Sequence, residues 1–338
     1  MSSPTKQPVT PLTTPSLRPA LPIGDRVIHV LDVAYRARRP VLLEGPTGIG
    51  KSQIVAQFAE RAGIDCRVLD LSLLEPPDLI GLPQFREGRT HYACPAELPT
   101  SGNGVLMLEE LNRAEIPVMQ PALQLLSARR LHAYELPPGW SCIAAINPES
   151  DEYQVNRLDD AMRSRFLELR VRPDRDEWLA WARRGNTHPT ILHLVATNAD
   201  VFATSSPRSW SYLSQVLRGL RPEEIRSRDL VLTLAHGYLP VAWATAVAEA
   251  MSKLPDVPQV DGKALLGPDG PAYFAALHAP LQRQGRSDAI VLLAWQVKRV
   301  LTETGLGGSD HDRLALTLAP LPGDLREQCL AAVGQKPA

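Results

Sequence analysis

The chain has 338 residues, a formal net charge of −1 at pH 7 and 44% hydrophobic residues. Its length is sufficient for two or three domains, and its near-neutral charge excludes a global basic field that would attract nucleic acid or an anionic membrane. The four cysteines lie far apart without a C-x-x-C pair, which indicates neither a zinc site nor a disulfide framework. We therefore expect a cytoplasmic protein with reduced thiols, and nucleic acid is not indicated as a partner.

The N-terminal segment, residues 1–20, is rich in Pro, Ser and Thr and lacks an apolar core of the kind found in signal peptides. Its composition predicts a disordered tail. No apolar run along the chain reaches the length of a membrane span, so we expect no membrane insertion.

The first strong pattern is a glycine-rich turn between a predicted strand, residues 40–43, and a predicted amphipathic helix that begins near residue 51. The intervening sequence fits G-x-x-x-x-G-K-[ST], in which glycines let backbone N–H groups converge on phosphate oxygens. In this pattern Lys51 reaches the β- and γ-phosphates, and the Ser52 hydroxyl takes a place on Mg²⁺. The predicted cradle for ATP consists of Gly45, Pro46, Thr47, Gly48, Ile49, Gly50, Lys51 and Ser52.

A later predicted strand, "GVLMLEE", ends in two carboxylates where parallel sheets bind ligands. Because side chains alternate along a strand, Glu109 and Glu110 can divide the work. By register Glu109 takes the metal position, and Glu110 takes the position of the base that polarises the attacking water. The usual form of this motif ends in Asp-Glu, so the extra methylene of Glu109 makes the metal affinity and the turnover open questions.

The next predicted strand, "SCIAAIN", ends in Asn147, whose carboxamide can orient the attacking water or contact the γ-phosphate. The alternative is a simple Asn-Pro turn. Further on, "LDDAMRSRF" places Arg163 and Arg165 at the end of a short helix, where either can enter a neighbouring subunit's site as an arginine finger. For Arg163 an intrachain ion pair is an equal alternative, and Arg165 is the better candidate.

The pattern along the chain predicts an α/β nucleotide-binding domain with a parallel sheet over residues 21–172, followed by helices only. A helical lid is predicted over residues 173–257, and Arg208 at the start of one of its helices is a candidate contact to the γ-phosphate. A stretch dense in Pro, Gly and Asp then separates a helical extension, residues 258–338.

Taken together, "GPTGIGKS", "VLMLEELNRA", "AAINPES", "LDDAMRSRF" and "SPRSW" resemble the P-loop, acidic pair, sensor 1, arginine finger and sensor 2 of AAA+ ATPases. They are most similar to the MoxR branch, which is akin to dynein-related AAA modules. "LSLLEPPDLIGLPQF" resembles this branch's insert after the second strand, and "MQPALQLLSARRLHAYELPPGW" resembles its helix and β-hairpin before sensor 1.

The resemblance implies a ring, commonly a hexamer, that uses ATP and Mg²⁺ in a chaperone-like way to remodel or mature a client protein. Members of this branch often act with a partner that carries a von Willebrand A domain. Two alternatives share the motifs: a nucleotide-driven motor of a nucleic-acid-processing system, and a nucleotide-binding scaffold with weak hydrolysis.

Overall fold

The computed structural model describes residues 19–148, 155–255, 257–304 and 311–333, so most of the predicted tail, residues 1–20, lies outside the described residues. The chain divides into two compact units. Of the described residues, the first contains 19–47, 51–148 and 155–172, and the second contains 48–50, 173–255, 257–304 and 311–333. Within the described ranges, no helix combines the length and the apolar character needed to cross a membrane.

The first unit carries all the strands found among the described residues. They are β1 (Leu21–Pro22), β2 (Val41–Glu44), β3 (Asp65–Asp70), β4 (Pro83–Arg86), β5 (Arg89–Tyr92), β6 (Asn103–Glu109), β7 (Arg130–Leu131), β8 (Tyr134–Glu135), β9 (Gly139–Ile146) and β10 (Leu167–Arg172). In this part of the chain six of them form a parallel sheet in the order β1-β10-β2-β9-β6-β3. The other four form two antiparallel hairpins, β4 with β5 and β7 with β8.

Five α-helices connect these strands in the described part of the first unit. They are α1 (Asp25–Arg36), α2 (Lys51–Ala62), α3 (Pro76–Ile80), α4 (Ile116–Ala128) and α5 (Asp160–Arg163). The central strands β2, β6 and β9 are buried runs of aliphatic residues, as expected for parallel strands covered on both faces. The register aligns Glu44 of β2 with Ile146 of β9, so these two strands end together at one edge of the sheet.

The second unit is helical throughout its described residues. Its helices are α6 (Arg175–Arg184), α7 (Pro189–Thr197), α8 (Pro207–Arg218), α9 (Pro222–Ile225), α10 (Arg228–His236), α11 (Val241–Ser252), α12 (Gly262–Leu266), α13 (Gly270–Arg283), α14 (Ser287–Thr304), α15 (His311–Thr317) and α16 (Gly323–Leu330). A parallel α/β sheet followed by a helical region is the predicted fold class, and the structure confirms it.

Two hydrophobic clusters lie within the second unit, one built from residues between 178 and 251 and the other from residues between 265 and 332. Helix α14 connects them by polar contacts. The ammonium group of Lys298 donates to the carbonyl oxygens of Arg183, Arg184 and Gly185 at the end of α6. The Trp295 ring packs edge-on against His188, with the centroids 4.9 Å apart.

Candidate active site

The glycine-rich turn lies between β2 and α2, as the sequence predicts, and Lys51 is the first residue of α2. Gly48 and Gly50 have φ angles of 77° and 103°, which side chains other than glycine rarely tolerate. Gly45, the first glycine of the turn, is not among the glycines of positive φ. The backbone freedom of glycine is therefore used at Gly48 and Gly50.

Lys51 is only 9% exposed, and its ammonium group is held by acceptors of the same turn. Its Nζ donates to the carbonyl oxygens of Gly45 at 2.6 Å and Pro46 at 3.0 Å, and to Oδ1 of Asn147 at 3.1 Å. A lysine ammonium group has three donors, and these contacts point them into the turn. The cation is thereby placed at the carboxyl ends of β2 and β9.

Asn147 is 1% exposed and directly follows β9. Its Oδ1 accepts from Lys51 and from the Thr47 hydroxyl at 3.1 Å, and its Nδ2 donates to Oε2 of Glu110 at 2.6 Å. The carboxamide therefore bridges the lysine of the turn and the acidic pair. A simple Asn-Pro turn would not produce these contacts.

The two carboxylates do not share a strand, contrary to the expectation of simple alternation. Glu109 is the last residue of β6, whereas Glu110 adopts a left-handed backbone with φ 54° and ψ 33° and starts a short 3₁₀ turn, Leu111–Arg113. This conformation costs a non-glycine residue about 1–2 kcal/mol. Such strain is concentrated at functional sites, and here it accompanies the contact of Glu110 with Asn147.

Glu109 differs from Glu110 in its partners. Its Oε1 is buried and has no hydrogen-bond partner in the described part of the chain. Among the described residues, no other carboxylate oxygen is buried without a partner. A buried acceptor without a partner is costly unless a ligand supplies one. A carboxylate oxygen is a preferred ligand of Mg²⁺, so this orphaned atom is chemically suited to hold a metal ion.

Asn112 is a residue that sequence reasoning missed. It is 2% exposed, and its Nδ2 donates to the backbone oxygen of Asn147 at 2.9 Å while its Oδ1 accepts from the backbone N–H of Asn147 at 3.2 Å. Arg113, also missed, lies 3.5 Å from Oε2 of Glu110. The only signal in the sequence was their position directly after the acidic pair, in "EELNRA".

The two finger candidates occupy different environments. Arg163, the last residue of α5, forms ion pairs with Glu44 and Glu168 of the same chain and has a side chain 16% exposed. Burial acts to lower the pKa of Arg163, but hydrogen bonds and charge attraction from Glu168 and Glu44 outweigh it and raise that pKa. The structure thus shows the intrachain ion pair that was the alternative for Arg163.

Arg165 lies two residues later, on the turn between α5 and β10, and is exposed. Arg208 is the second residue of α8 in the second unit and is also exposed. Of the predicted site residues, the structure brings Gly45, Pro46, Thr47, Lys51, Glu110 and Asn147 into one hydrogen-bonded group within the first unit.

Comparison with known proteins gives an independent result for the same segment. The sequence profile of the AAA domain (dynein-related subfamily) matches residues 40–166, which run from the start of β2 to the turn before β10. The matched range includes the cradle, both glutamates, Asn147, Arg163 and Arg165, and it leaves out Arg208.

The chain is also similar to two bacterial proteins. Protein NorQ of Paracoccus denitrificans is 31% identical over 162 residues, which make up 44% of this chain and 58% of NorQ. The denitrification regulatory protein NirQ of Pseudomonas aeruginosa is 27% identical over 166 residues, or 46% of this chain and 64% of NirQ. The chain spans less than two thirds of the length of either relative.

Among solved structures, the Holliday junction branch migration motor RuvB of Thermotoga maritima is 17% identical. The match covers 76% of this chain and 80% of RuvB with a TM-score of 0.37.

Proposed function

We propose that this chain hydrolyses ATP with Mg²⁺. Residues 40–166 match the AAA domain of the dynein-related subfamily, and the motifs together with the similarity to NorQ and NirQ indicate the MoxR branch. The observation that carries the proposal is the hydrogen-bonded series from Lys51 through Asn147 to Glu110. It connects the cation that neutralises phosphate charge with the carboxylate that takes up a proton. Both groups are held at the sheet edge where parallel sheets bind ligands.

Substrate binding falls to the turn and to Lys51. The backbone N–H groups at the start of α2 and the positive end of its dipole favour anionic phosphate oxygens. Phosphate oxygens are stronger acceptors for an ammonium group than the neutral carbonyl oxygens of Gly45 and Pro46 that Lys51 contacts. ATP therefore competes for those donors.

The metal position is assigned to Ser52 and Glu109. The orphaned Oε1 of Glu109 supplies an anionic oxygen, and the Ser52 hydroxyl, next to Lys51, supplies a neutral one. When bound, Mg²⁺ offsets negative charge on the phosphate oxygens.

Glu110 is the proposed general base for the attacking water. Asn147 fixes the direction of its carboxylate at 2.6 Å, and Asn112 fixes the backbone of Asn147 in turn. Such positioning keeps the base at a constant place relative to the phosphates held by the turn. Arg165, exposed on its turn, is the proposed finger for the site of a neighbouring subunit.

At the level of assembly, we infer a ring of subunits, a hexamer as is common on this branch, that remodels or matures a client protein. A partner with a von Willebrand A domain is the accompanying proposal. The support for these steps is the membership of the MoxR branch and the exposed position of Arg165.

The test measures ATP affinity and phosphate release for the parent chain, Lys51→Ala, Glu110→Gln and a control, Glu60→Gln, which changes an exposed glutamate on α2. Lys51→Ala should weaken ATP binding by about 10- to 100-fold because charge-assisted hydrogen bonds are lost. Glu110→Gln should bind ATP normally and lose about 10²- to 10⁴-fold in turnover. Glu60→Gln should match the parent.

Normal hydrolysis by Glu110→Gln would contradict its assignment as the base. Tight ATP binding by the parent without turnover at any protein concentration would favour the scaffold with weak hydrolysis over an ATPase.

A further inference from the structure

Arg163 and Glu44 are far apart in sequence but lie in contact at the base of the candidate site. Glu44 is the last residue of β2 and directly precedes Gly45 of the turn. Its Oε2 pairs with Arg163 and its Oε1 lies 3.5 Å from Nε of Arg170. Glu168, on the neighbouring strand β10, is the second partner of Arg163.

Three of the four side chains in this cluster are largely shielded from water, the exception being Arg170, and the cluster is balanced in charge. The side chains of Glu44 and Glu168 are 11% and 7% exposed, and that of Arg163 is 16% exposed. Two carboxylates held this close repel each other unless a cation lies between them. Arg163 is that cation, so its position is determined by both strands.

The same arginine adjoins the turn that carries Arg165. Arg163 is anchored by its ion pairs, and Phe166, one residue beyond Arg165, is buried in the hydrophobic core of the first unit. The backbone N–H of Phe166 donates to the carbonyl oxygen of Arg163 at 3.1 Å, and that of Arg165 donates to Met162 at 3.2 Å. The exposed Arg165 therefore projects from a turn that is fixed on both sides.

We propose that Arg163 is a positioning residue that holds the turn carrying the Arg165 finger in a fixed orientation. Through its ion pair with Glu44, it also connects this turn to β2, the strand that leads into the nucleotide-binding turn of the same subunit. The inference rests on the proposed ATPase with its trans-acting Arg165. It assigns to Arg163 no contact with nucleotide. It gives the chain a direct link, within one subunit, between the cradle that holds its own ATP and the arginine that it offers to its neighbour.

The experiment separates the donor of the finger from the acceptor. Acceptor subunits carry Arg165→Ala and keep an intact cradle. Donor subunits carry Lys51→Ala, which weakens ATP binding to their own cradle, and ATP is kept at a concentration that fills only the acceptor cradles. Each donor receives one further change. Phosphate release is measured in mixed assemblies whose composition is confirmed by mass, and thermal unfolding of each variant confirms that it folds.

A donor with Lys51→Ala alone should restore turnover. Adding Arg163→Ala or Glu44→Gln to the donor should reduce the restored turnover by about 10²-fold, the scale expected from misplacing a reacting group. The combination of Arg163→Ala with Glu44→Gln should be no worse than Arg163→Ala alone, because that change already removes the contact with Glu44. Arg61→Ala, which removes an exposed ion pair with Asp25, is the matched control and should leave the donor fully active.

Three further outcomes would contradict the positioning role of Arg163. Full activity of the Glu44→Gln donor together with failure of the Arg163→Ala donor would make Arg163 the finger itself and overturn the inference. Donors with either change that behave like Arg61→Ala would also overturn it while leaving the ATPase proposal intact. No rescue by the Lys51→Ala donor in confirmed mixed assemblies would contradict the trans-acting Arg165 and the inference together.

If Arg163→Ala fails to fold, Arg163→Lys and Glu168→Gln replace it in the donor. Arg163→Lys keeps the charge but not the two-sided fork, so it should restore part of the lost turnover. If the donor with Arg163→Lys is as inactive as a donor with Arg165→Ala, the positioning role of Arg163 is contradicted.

Discussion

Two regions of the molecule bury charged side chains but give them different partners. One is the end of the sheet in the first unit where β6 and β9 finish, and the other is the joint in the second unit, where Trp295, Lys298 and Arg299 of α14 contact the preceding helices. At the joint, Lys298 donates to three backbone carbonyl oxygens, and Nδ1 of His188 accepts from the backbone N–H of Thr190. At the sheet edge, Oε1 of Glu109 has no partner among the described residues. A buried ammonium group that backbone oxygens satisfy stabilises a fold, whereas a buried carboxylate oxygen without a partner is available to a cation. The joint also contains buried polar atoms without a hydrogen-bond partner in the described part of the chain, Nε1 of Trp295 and Oγ1 of Thr190, but neither is an anion.

The comparison is tested most strongly at Glu109. Glu109→Ala should reduce turnover by about 10²-fold or more, because an anionic oxygen is lost where charge must be balanced. Without nucleotide, its free energy of unfolding should stay equal or rise by about 1 kcal/mol, because an unsatisfied buried acceptor is removed. Phosphate release across a Mg²⁺ titration and urea unfolding measure the two effects.

Glu109→Asp is the matched variant. If the extra methylene hinders metal geometry, the aspartate should raise turnover or lower the Mg²⁺ requirement. An alanine variant whose Mg²⁺ titration equals that of the parent would remove Glu109 from the site.

The opposite result is expected at Lys298, which is 7% exposed. Lys298→Met keeps the aliphatic stem but leaves the carbonyl oxygens at the end of α6 without their donor. The free energy of unfolding should fall by about 2–3 kcal/mol, the range for a lost charge-assisted hydrogen bond. Urea unfolding measures it, and Lys253→Met, at an exposed lysine of the same unit, is the control. Equal stability of the two variants would show that the Lys298 contacts contribute nothing.

The smallest effect is a pH dependence at His188. Burial, followed by the positive charges of Arg218 and Arg299, lowers the pKa of His188 to about 3. Below the ordinary pKa of 6.5, His188 is protonated in the unfolded chain, whereas in the folded chain it stays neutral down to about pH 3. Stability is therefore full above pH 6.5 and declines as the pH falls, by about 1.4 kcal/mol per pH unit or about 2 kcal/mol by pH 5.

The test compares urea unfolding at pH 7 and pH 5 for the parent and His188→Asn. Asparagine keeps an acceptor for the N–H of Thr190 and does not titrate, so its loss between the two pH values should be about 2 kcal/mol smaller. His193→Asn changes an exposed histidine of the same helix and should follow the parent. A parallel decline in all three proteins would exclude His188 as the source.

The parts of the molecule that the sequence predicted are those set by local pattern. The buried strands, the turn before Lys51 and the polar residues at strand ends follow from apolar runs and from glycine spacing within short windows. The contacts of the site join residues far apart in sequence: Asn112 and Asn147 are 35 positions apart, and Arg163 and Glu44 are 119 positions apart. Register between strands determines which of these residues meet, and no window of the sequence contains it.

The left-handed backbone of Glu110 was unpredictable for a different reason. A glutamate ordinarily avoids this conformation, so its residue type argues against it. The surrounding contacts, including Asn147 on its carboxylate, accompany a geometry that local preference disfavours. The site departs from the sequence pattern at the residue proposed to carry the chemistry.

The contacts of α14 also bear on how the second unit unfolds. Lys298, Trp295 and Arg299 contact, respectively, the end of α6, the ring of His188 and the backbone oxygen of Arg218, so one helix ties the two hydrophobic clusters of this unit together. Separating the clusters breaks all three contacts at once and leaves the buried ammonium group of Lys298 without acceptors. Residues 173–338 are therefore expected to melt in a single cooperative transition, and a chain that ends at residue 257 loses the donor that caps α6.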